Sequence, residues 1–347
     1  MKTVCFSFIL LLGSLLTLAN IPETHNALGV SIPPIRQVEF AKDRYVWVLM
    51  IDGKVQFTRD GGKTWQLAKL EPSTEFIRID FVDEMRGWAI DNKGQVQATT
   101  DGGENWTVLN KLRETKKTGP YFNDIRFSDY NNGWLIEYHK TIWKTSDGGR
   151  SWTEVAHPEV RELGRIYLAN NLILISWQNG FIYTKDKGVS WEKMLVHSTY
   201  AWIVDAFFVD EKTGWATGFP NMGAYKTTDG GKKWRPIPVT RARPSEEIIS
   251  SIFFTNKNEG WAVGPNQRVG PPYLTGSVRH SINGGKTWKE VPVKGNDSIF
   301  TRVYFSSSKV GWLVDSCSIY RTENRGKTWT IVLRLPPIKE GNDVIIR

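Results

Sequence analysis

Residues 58–65 read Thr58-Arg-Asp-Gly-Gly-Lys-Thr-Trp65, and the same eight-residue pattern returns six more times before the chain ends. The copies occupy residues 99–106, 145–152, 184–191, 227–234, 281–288 and 322–329. Their third residues are Asp60, Asp101, Asp147, Asp186, Asp229, Asn283 and Asn324, and the fifth is glycine every time. Successive third residues lie 41, 46, 39, 43, 54 and 41 apart, a mean of 44. A turn and an aromatic ring at fixed offsets in a period of about 40–50 residues indicate propeller blades. The local physics explains the recurrence. Asp-Gly-Gly between two β-forming runs is a hairpin turn in which glycine supplies a positive φ and the carboxylate accepts nearby backbone N–H groups. The Ser/Thr hydroxyl two residues earlier closes the same network. The tryptophan three residues after the last glycine opens the next strand, where its ring covers the turn and buries about 150–250 Å².

A second motif keeps step with the first. Gly87-Trp88, Gly133-Trp134, Gly214-Trp215, Gly260-Trp261 and Gly311-Trp312 each precede a turn, and Val46-Trp47 takes that place in the first repeat. Trp47, Trp88 and Trp134 each stand 13 residues before their Asp, room for one strand, a turn and another strand. In the second repeat, residues 76–82, 87–90, 95–99 and 105–109 read as four strands bounded by turn residues. The predicted fold is therefore all-β: a seven-bladed propeller of four-stranded antiparallel blades with one such turn per blade. The fourth repeat departs, with Leu172-Ile-Leu-Ile175 in place of Gly-Trp and Lys187 in place of the first turn glycine. Asn283 and Asn324 keep the acceptor oxygen and tolerate the turn.

The pattern Ser/Thr-x-Asp-x-Gly-x-x-Trp resembles the Asp-box, or BNR repeat, of sialidases, other glycoside hydrolases, sortilin-type receptors and photosystem II stability/assembly factors. Seven boxes in phase, with Gly-Trp strands and about 44 residues per repeat, are most similar to the photosystem II stability/assembly factor family and its bacterial relatives. That resemblance implies a structural role for the boxes, away from the active face. It also implies a lumenal or periplasmic propeller that holds a membrane-protein subunit on an arginine-bearing face.

Composition bounds the setting. Of the 347 residues, 40% are hydrophobic and 23% charged, so the chain can bury a large core. Residues 1–19 carry Lys2 ahead of a charge-free apolar run and read as a signal peptide, with an uncleaved membrane anchor as the rival. Residues 20–35 read as a linker, 36–335 as the propeller, and 336–347 as a tail or closing strand. The predicted location is secreted, periplasmic or thylakoid-lumenal. Removing residues 1–19 leaves Cys317 as the one cysteine, expected to be a small strand residue rather than a nucleophile. Asn105-Trp-Thr and Asn296-Asp-Ser match the glycosylation pattern, the first inside a box.

The innermost strands align on an apolar-x-aromatic end: Val38/Phe40, Ile79/Phe81, Ile125/Phe127, Ile166/Leu168, Ala206/Phe208, Ile252/Phe254 and Val303/Phe305. The residue before each pair is Gln37, Arg78, Asp124, Arg165, Asp205, Ser251 or Arg302. Lining a central channel, Arg78, Arg165 and Arg302 would converge with Asp124 and Asp205 at its mouth, either as a structural ring of ion pairs or as a binding site. Arg36 stands beside them. A basic loop over residues 111–117, with Arg241 and Arg243, adds to a net charge of +9, which favours an acidic peptide, carboxylate or anionic surface. Residues 264–278, rich in Pro and Gly, stretch the sixth repeat on the face opposite the boxes and suggest a binding loop.

Two functions from different classes fit this pattern. One is a non-enzymatic scaffold for a protein partner, working as a monomer. The other is a glycoside hydrolase, sialidase-like or xyloglucan-active, with three arginines gripping a carboxylate and Asp124 or Asp205 as acid; carbohydrate binding without hydrolysis lies between. The Arg-Ile-Pro start of sialidases is absent, Arg36-Gln37-Val38 standing there instead. No metal-ligand spacing, P-loop, dinucleotide fingerprint or nucleophile elbow occurs, so neither metal nor cofactor is expected. Nucleic acid is not expected either, because the basic residues are dispersed.

Overall fold

The computed structural model describes residues 34–112, 122–137, 141–160, 162–169, 171–198, 201–219, 223–240, 248–265, 275–295 and 298–336. Its strands form seven four-stranded antiparallel sheets, each built from consecutive strands in chain order. In the second blade these are β5 (Phe76–Phe81), β6 (Gly87–Asp91), β7 (Gln95–Thr99) and β8 (Thr107–Lys111). The last begins two residues later than the hydrophobic pattern predicts, because Trp106 belongs to the turn and covers it, its indole donating to the Gly103 carbonyl at 3.0 Å. The innermost strands are β1 (Ile35–Ala41), β5, β9 (Phe122–Phe127), β13 (Ile166–Ala169), β17 (Trp202–Phe208), β21 (Ser251–Phe254) and β25 (Arg302–Phe305).

Each box is a hydrogen-bonded knot. In the first, the Thr58 hydroxyl donates to Asp60 Oδ1 at 2.8 Å and accepts the Gly62 N–H at 3.0 Å. Asp60 also accepts the Thr64 N–H at 3.0 Å and its hydroxyl at 2.7 Å. Burial works against the Asp60 charge, but the bonds from Thr64, Thr58 and Lys63 outweigh it and hold the carboxyl at about 2. The hydroxyl-to-acceptor and glycine N–H bonds recur in the other six boxes. Asn283 and Asn324 reverse one bond, their amides donating to the Thr287 and Thr328 hydroxyls at 2.7 Å. Asn105 is a box residue in the same sense, donating to Asp101 at 2.8 Å.

At the first turn glycine, Lys187 and Arg325 take φ values of 58° and 62°. A left-handed side-chain residue costs about 1–2 kcal/mol, part of which glycine gives back through its freer unfolded chain. Lys187→Gly is therefore expected to raise stability by about 0.5–1 kcal/mol, read as a higher urea midpoint.

The second motif joins neighbouring blades. Trp47 stacks on Phe81 at 3.7 Å, Trp88 on Phe127 at 3.8 Å, Trp215 on Phe254 at 3.6 Å and Trp261 on Phe305 at 3.7 Å. The indoles of Trp47 and Trp88 donate to Gly102 and Gly148 in the next blade's box at 2.8 and 2.9 Å. Glycine precedes the tryptophan because the blade's own phenylalanine lies over it: a Cβ on Gly87 would stand 2.5 Å from the Phe81 ring. The fourth blade has Leu168 in place of that phenylalanine, paired with Ile173, so its departure removes ring and glycine together. In the first blade Val46 opposes Phe40, whose ring stacks instead on Tyr304 at 4.9 Å.

Among the described residues the seventh sheet is drawn from residues 302–334 and the first from residues 35–67, and the two meet by packing. Val38, Val46 and Val48 pack against Trp312, Val314 and Ile319. The Trp65 indole donates to the Val332 carbonyl at 3.0 Å, and the Ser306 hydroxyl to Asp43 at 2.6 Å. Cys317 is buried in the turn after β26 (Gly311–Val314), not in a strand as expected, because Asp315 accepts its N–H at 2.8 Å and bends the chain there. Residues 1–33, 113–121, 138–140, 161, 170, 199–200, 220–222, 241–247, 266–274, 296–297 and 337–347 lie outside the described residues. The leader and most of the linker, the core of the basic loop with Arg241 and Arg243, the centre of the sixth-repeat insertion, Asn296 and the C-terminal segment fall among them.

Candidate functional site

Side chains two residues apart on a strand share a face, so the inner strands present two successive layers to the channel. The layer nearer the face opposite the boxes holds Gln37, Arg78, Asp124, Arg165, Asp205, Ser251 and Arg302. Most of it stitches blade to blade. Gln37 donates to the Ile79 carbonyl at 2.7 Å and accepts its N–H at 3.3 Å. Asp124 Oδ2 accepts the Ile166 N–H at 2.9 Å, and Asp205 Oδ2 accepts the Ile252 N–H at 3.0 Å and the Ser251 hydroxyl at 2.7 Å. Ser251 in turn accepts the Val303 N–H at 3.3 Å.

Arginine has no acceptor, so it cannot make this stitch. After Arg78 and Arg165, the next blade's aspartate binds its own strand instead: Asp124 Oδ1 accepts the Ile125 N–H at 3.1 Å, and Asp205 Oδ1 the Ala206 N–H at 3.0 Å. The Arg-Asp alternation in the sequence is thus a pattern of backbone hydrogen bonds. No ion pair joins Arg78, Arg165 or Arg302 to Asp124 or Asp205 among the described residues. Arg78 donates to the Asn123 and Ile77 carbonyls at 2.6 and 2.7 Å, and burial pulls its guanidinium down to about 10 against the pull of Asp124. Arg165 is exposed, and its guanidinium makes no hydrogen bond or ion pair within the described residues. The Arg302 side chain is 33% exposed, 3.9 Å from Glu39. Burial raises the Asp205 carboxyl, with Ser251 and Arg302 opposing. Arg36, on the same side, donates to the Ile51 carbonyl at 3.1 Å; burial lowers its guanidinium, with Glu75 and Asp52 opposing.

The second layer was missed by reading only the residue before each apolar-x-aromatic pair. Its members are the x residues themselves: Glu39, Asp80, Arg126, Tyr167, Phe207, Phe253 and Tyr304. In the first three blades they form a buried triad. Arg126 Nη1 donates to Glu39 Oε1 at 2.8 Å and to Asp80 Oδ1 at 2.7 Å, and its Nε lies 3.7 Å from Asp124. Asp80 Oδ2 also accepts the Phe127 N–H at 2.6 Å. Burial, reinforced by Glu39 and opposed by Arg126, pushes the Asp80 carboxyl up to about 6. Burial acts the same way on Glu39, but Arg126 and Arg302 outweigh it and hold that carboxyl below its usual range. The last four blades supply aromatic rings, with Phe207 and Phe253 4.4 Å apart and Phe253 and Tyr304 5.2 Å apart. Between the two walls lies a cavity of about 430 Å³.

Residues 61–156, 110–201 and 188–334 match the family described as photosynthesis system II assembly factor YCF48. Two solved structures of that name share 18% identity each. YCF48 bound to D1 peptide superposes with a TM-score of 0.63 over 82% of this chain and 92% of that one. YCF48 from Cyanidioschyzon merolae gives 0.59 over 85% and 94%. The GH74 enzyme of Niastella koreensis, at 10% identity, gives 0.50 over 88% and 66%, a likeness of fold. No curated protein matches the sequence significantly. With the matched segments running from the first box to the last strand of the seventh blade, the chain belongs to the photosystem II assembly factor YCF48 family.

Proposed function

We propose that this chain is a non-enzymatic, extracytoplasmic scaffold that holds an acidic segment of a protein partner on the propeller face opposite the Asp-boxes. The observation that carries the reading is the state of the arginines at the channel mouth. Among the described residues Arg165 is exposed and joined in no ion pair, Arg302 pairs with Glu39 at 3.9 Å, and the nearby Asp124 and Asp205 bind backbone N–H groups. Such guanidinium groups suit the carboxylates of a partner. A YCF48 structure of the same fold carries a bound D1 peptide, which supports a peptide segment as the ligand, and the family resemblance makes a membrane-protein subunit the partner class to test first. The apolar leader in residues 4–18 supports a lumenal or periplasmic setting.

The glycosidase reading fits the geometry less well. Both oxygens of Asp124 and of Asp205 accept structural N–H bonds, and Arg78 is bonded to two carbonyls, which leaves them ill placed to serve as acid and carboxylate clamp. The test is affinity capture from detergent-solubilised membranes of the source organism, with the mature chain and an Arg165→Ala/Arg302→Ala variant as baits. The expected result is one membrane-protein partner, recovered at least tenfold less by a variant of unchanged thermal midpoint, and released by salt. Equal recovery by both baits, or recovery of glycan alone, would overturn the proposal.

A further inference from the structure

The two halves of the channel cavity differ in chemistry. On the side of the first three blades, Arg126, the cation that lines the cavity there among the described residues, is enclosed by Glu39, Asp80 and Asp124. On the other side, Phe207, Phe253 and Tyr304 form a continuous, partly exposed aromatic arc, with Leu168 beside it at 36% exposure. Arg165 and Arg302 line the same cavity as the arc, and so does Asp205, whose charged form both arginines favour. Asp205 is already bonded to Ser251 and to the Ile252 and Ala206 N–H groups. An aromatic surface left half-buried in a concavity beside guanidinium groups with charge to spare is unusual for a structural core. Rings left wet forgo hydrophobic stabilisation, and two cations beside them, offset only in part by Asp205 and Glu39, favour an anion.

We propose that this cavity is a binding site for a small carboxylate with a compact apolar or aromatic body. The carboxylate sits between Arg165 and Arg302, and the body lies along Phe207, Phe253 and Tyr304. A volume of about 430 Å³ is within the range of small-molecule sites and takes a ring with a short side chain. Orientation follows from charge: the carboxylates around Arg126 repel an anionic group from the far wall, leaving the arginine mouth as the favourable end. The site shares Arg165 and Arg302 with the proposed protein-binding mouth and so rests on that reading of their charge. The aromatic arc is its own.

The experiment is a ¹⁹F NMR titration of the isolated mature chain with 4-fluorophenylacetate, against 4-fluorophenylacetamide, which lacks the charge, and trifluoroacetate, which lacks the ring. Saturable binding at about a millimolar or tighter is expected for the arylacetate, with both controls at least about tenfold weaker. Arg165→Ala, an exposed change that should leave folding intact, should weaken arylacetate binding about tenfold. Phe253→Leu should weaken it severalfold while leaving trifluoroacetate unaffected. No saturable binding by the folded chain, equal binding of the amide, or unchanged affinity in Arg165→Ala would overturn the inference. Failure here with a protein partner still captured at the mouth sinks the small-ligand site alone; arylacetate binding with no captured partner sinks the scaffold reading alone.

Discussion

Arg126→Met is expected to lower the unfolding free energy by about 3–5 kcal/mol at pH 8, because it leaves two buried carboxylates without their cation. Arg126 Nη1 is shared between Glu39 and Asp80 at 2.8 and 2.7 Å, and these two side chains are only 11% and 7% exposed, so water cannot take over its role. The deficit should depend on pH in a definite direction. Asp80 already sits at about 6, above an unfolded value of about 3.9. A carboxyl raised in the folded state contributes stability that is fully present below the unfolded value and is lost as pH rises through the folded one. Without the guanidinium, the Asp80 and Glu39 carboxyls both move up, and protonation relieves the buried repulsion. Urea unfolding of wild type and variant at pH 5 and pH 8 checks this: the deficit should be smaller at pH 5 by at least about 1 kcal/mol. An equal deficit at both values would mean that Arg126 acts by packing alone. Glu39→Gln/Asp80→Asn/Arg126→Met, which removes all three charges together, should recover most of the loss at pH 8.

Gly87→Ala should cost about 2–3 kcal/mol, although the change adds a single methyl group. The new carbon would lie 2.5 Å from the Phe81 ring and 2.9 Å from the Asp80 carbonyl. The ring cannot swing aside, being stacked on Trp47 at 3.7 Å and edge-on to Trp106 at 5.8 Å. Phe81→Leu alone should cost about 1–3 kcal/mol through lost stacking and a residual cavity. Together the two changes set leucine opposite a side-chain-bearing residue, as Leu168 stands opposite Ile173 in the fourth blade. Their combined cost should fall short of the sum by at least about 1 kcal/mol. Strict additivity in the double-mutant cycle would sever the proposed link between the glycine and its phenylalanine.

Both variants probe contacts that the sequence held in different degrees. The glycine and the phenylalanine were each visible as repeating letters, since a blade motif recurs every 44 residues on average. What they do to one another was not visible, because the ring crosses from one strand of its blade to the next and then stacks on the neighbouring blade. The channel gives the same lesson at longer range. The alignment of the inner strands placed Arg78, Asp124, Arg165, Asp205 and Arg302 in one layer. It could not tell that the aspartates would bind backbone N–H groups of the next blade, 42 and 47 residues on. Nor did it single out Glu39, Asp80 and Arg126, although they stand one strand position pair further along the same segments.

The sequence by itself determined the all-β class, the number of blades, the four strands of each and the turn that staples them, for all of these rest on hydrogen bonds and packing between consecutive strands of one blade. It also located the two departures of the fourth blade. The tertiary structure alone decided which inner-strand side chains share the channel, that Arg126 meets Glu39 across 87 residues, and that Trp65 reaches Val332 across 267 to close the ring. The reason is physical. A hairpin carries its own instructions in local backbone geometry, whereas the facing of one blade on the next depends on the twist of every sheet and on the closure of all seven around one axis.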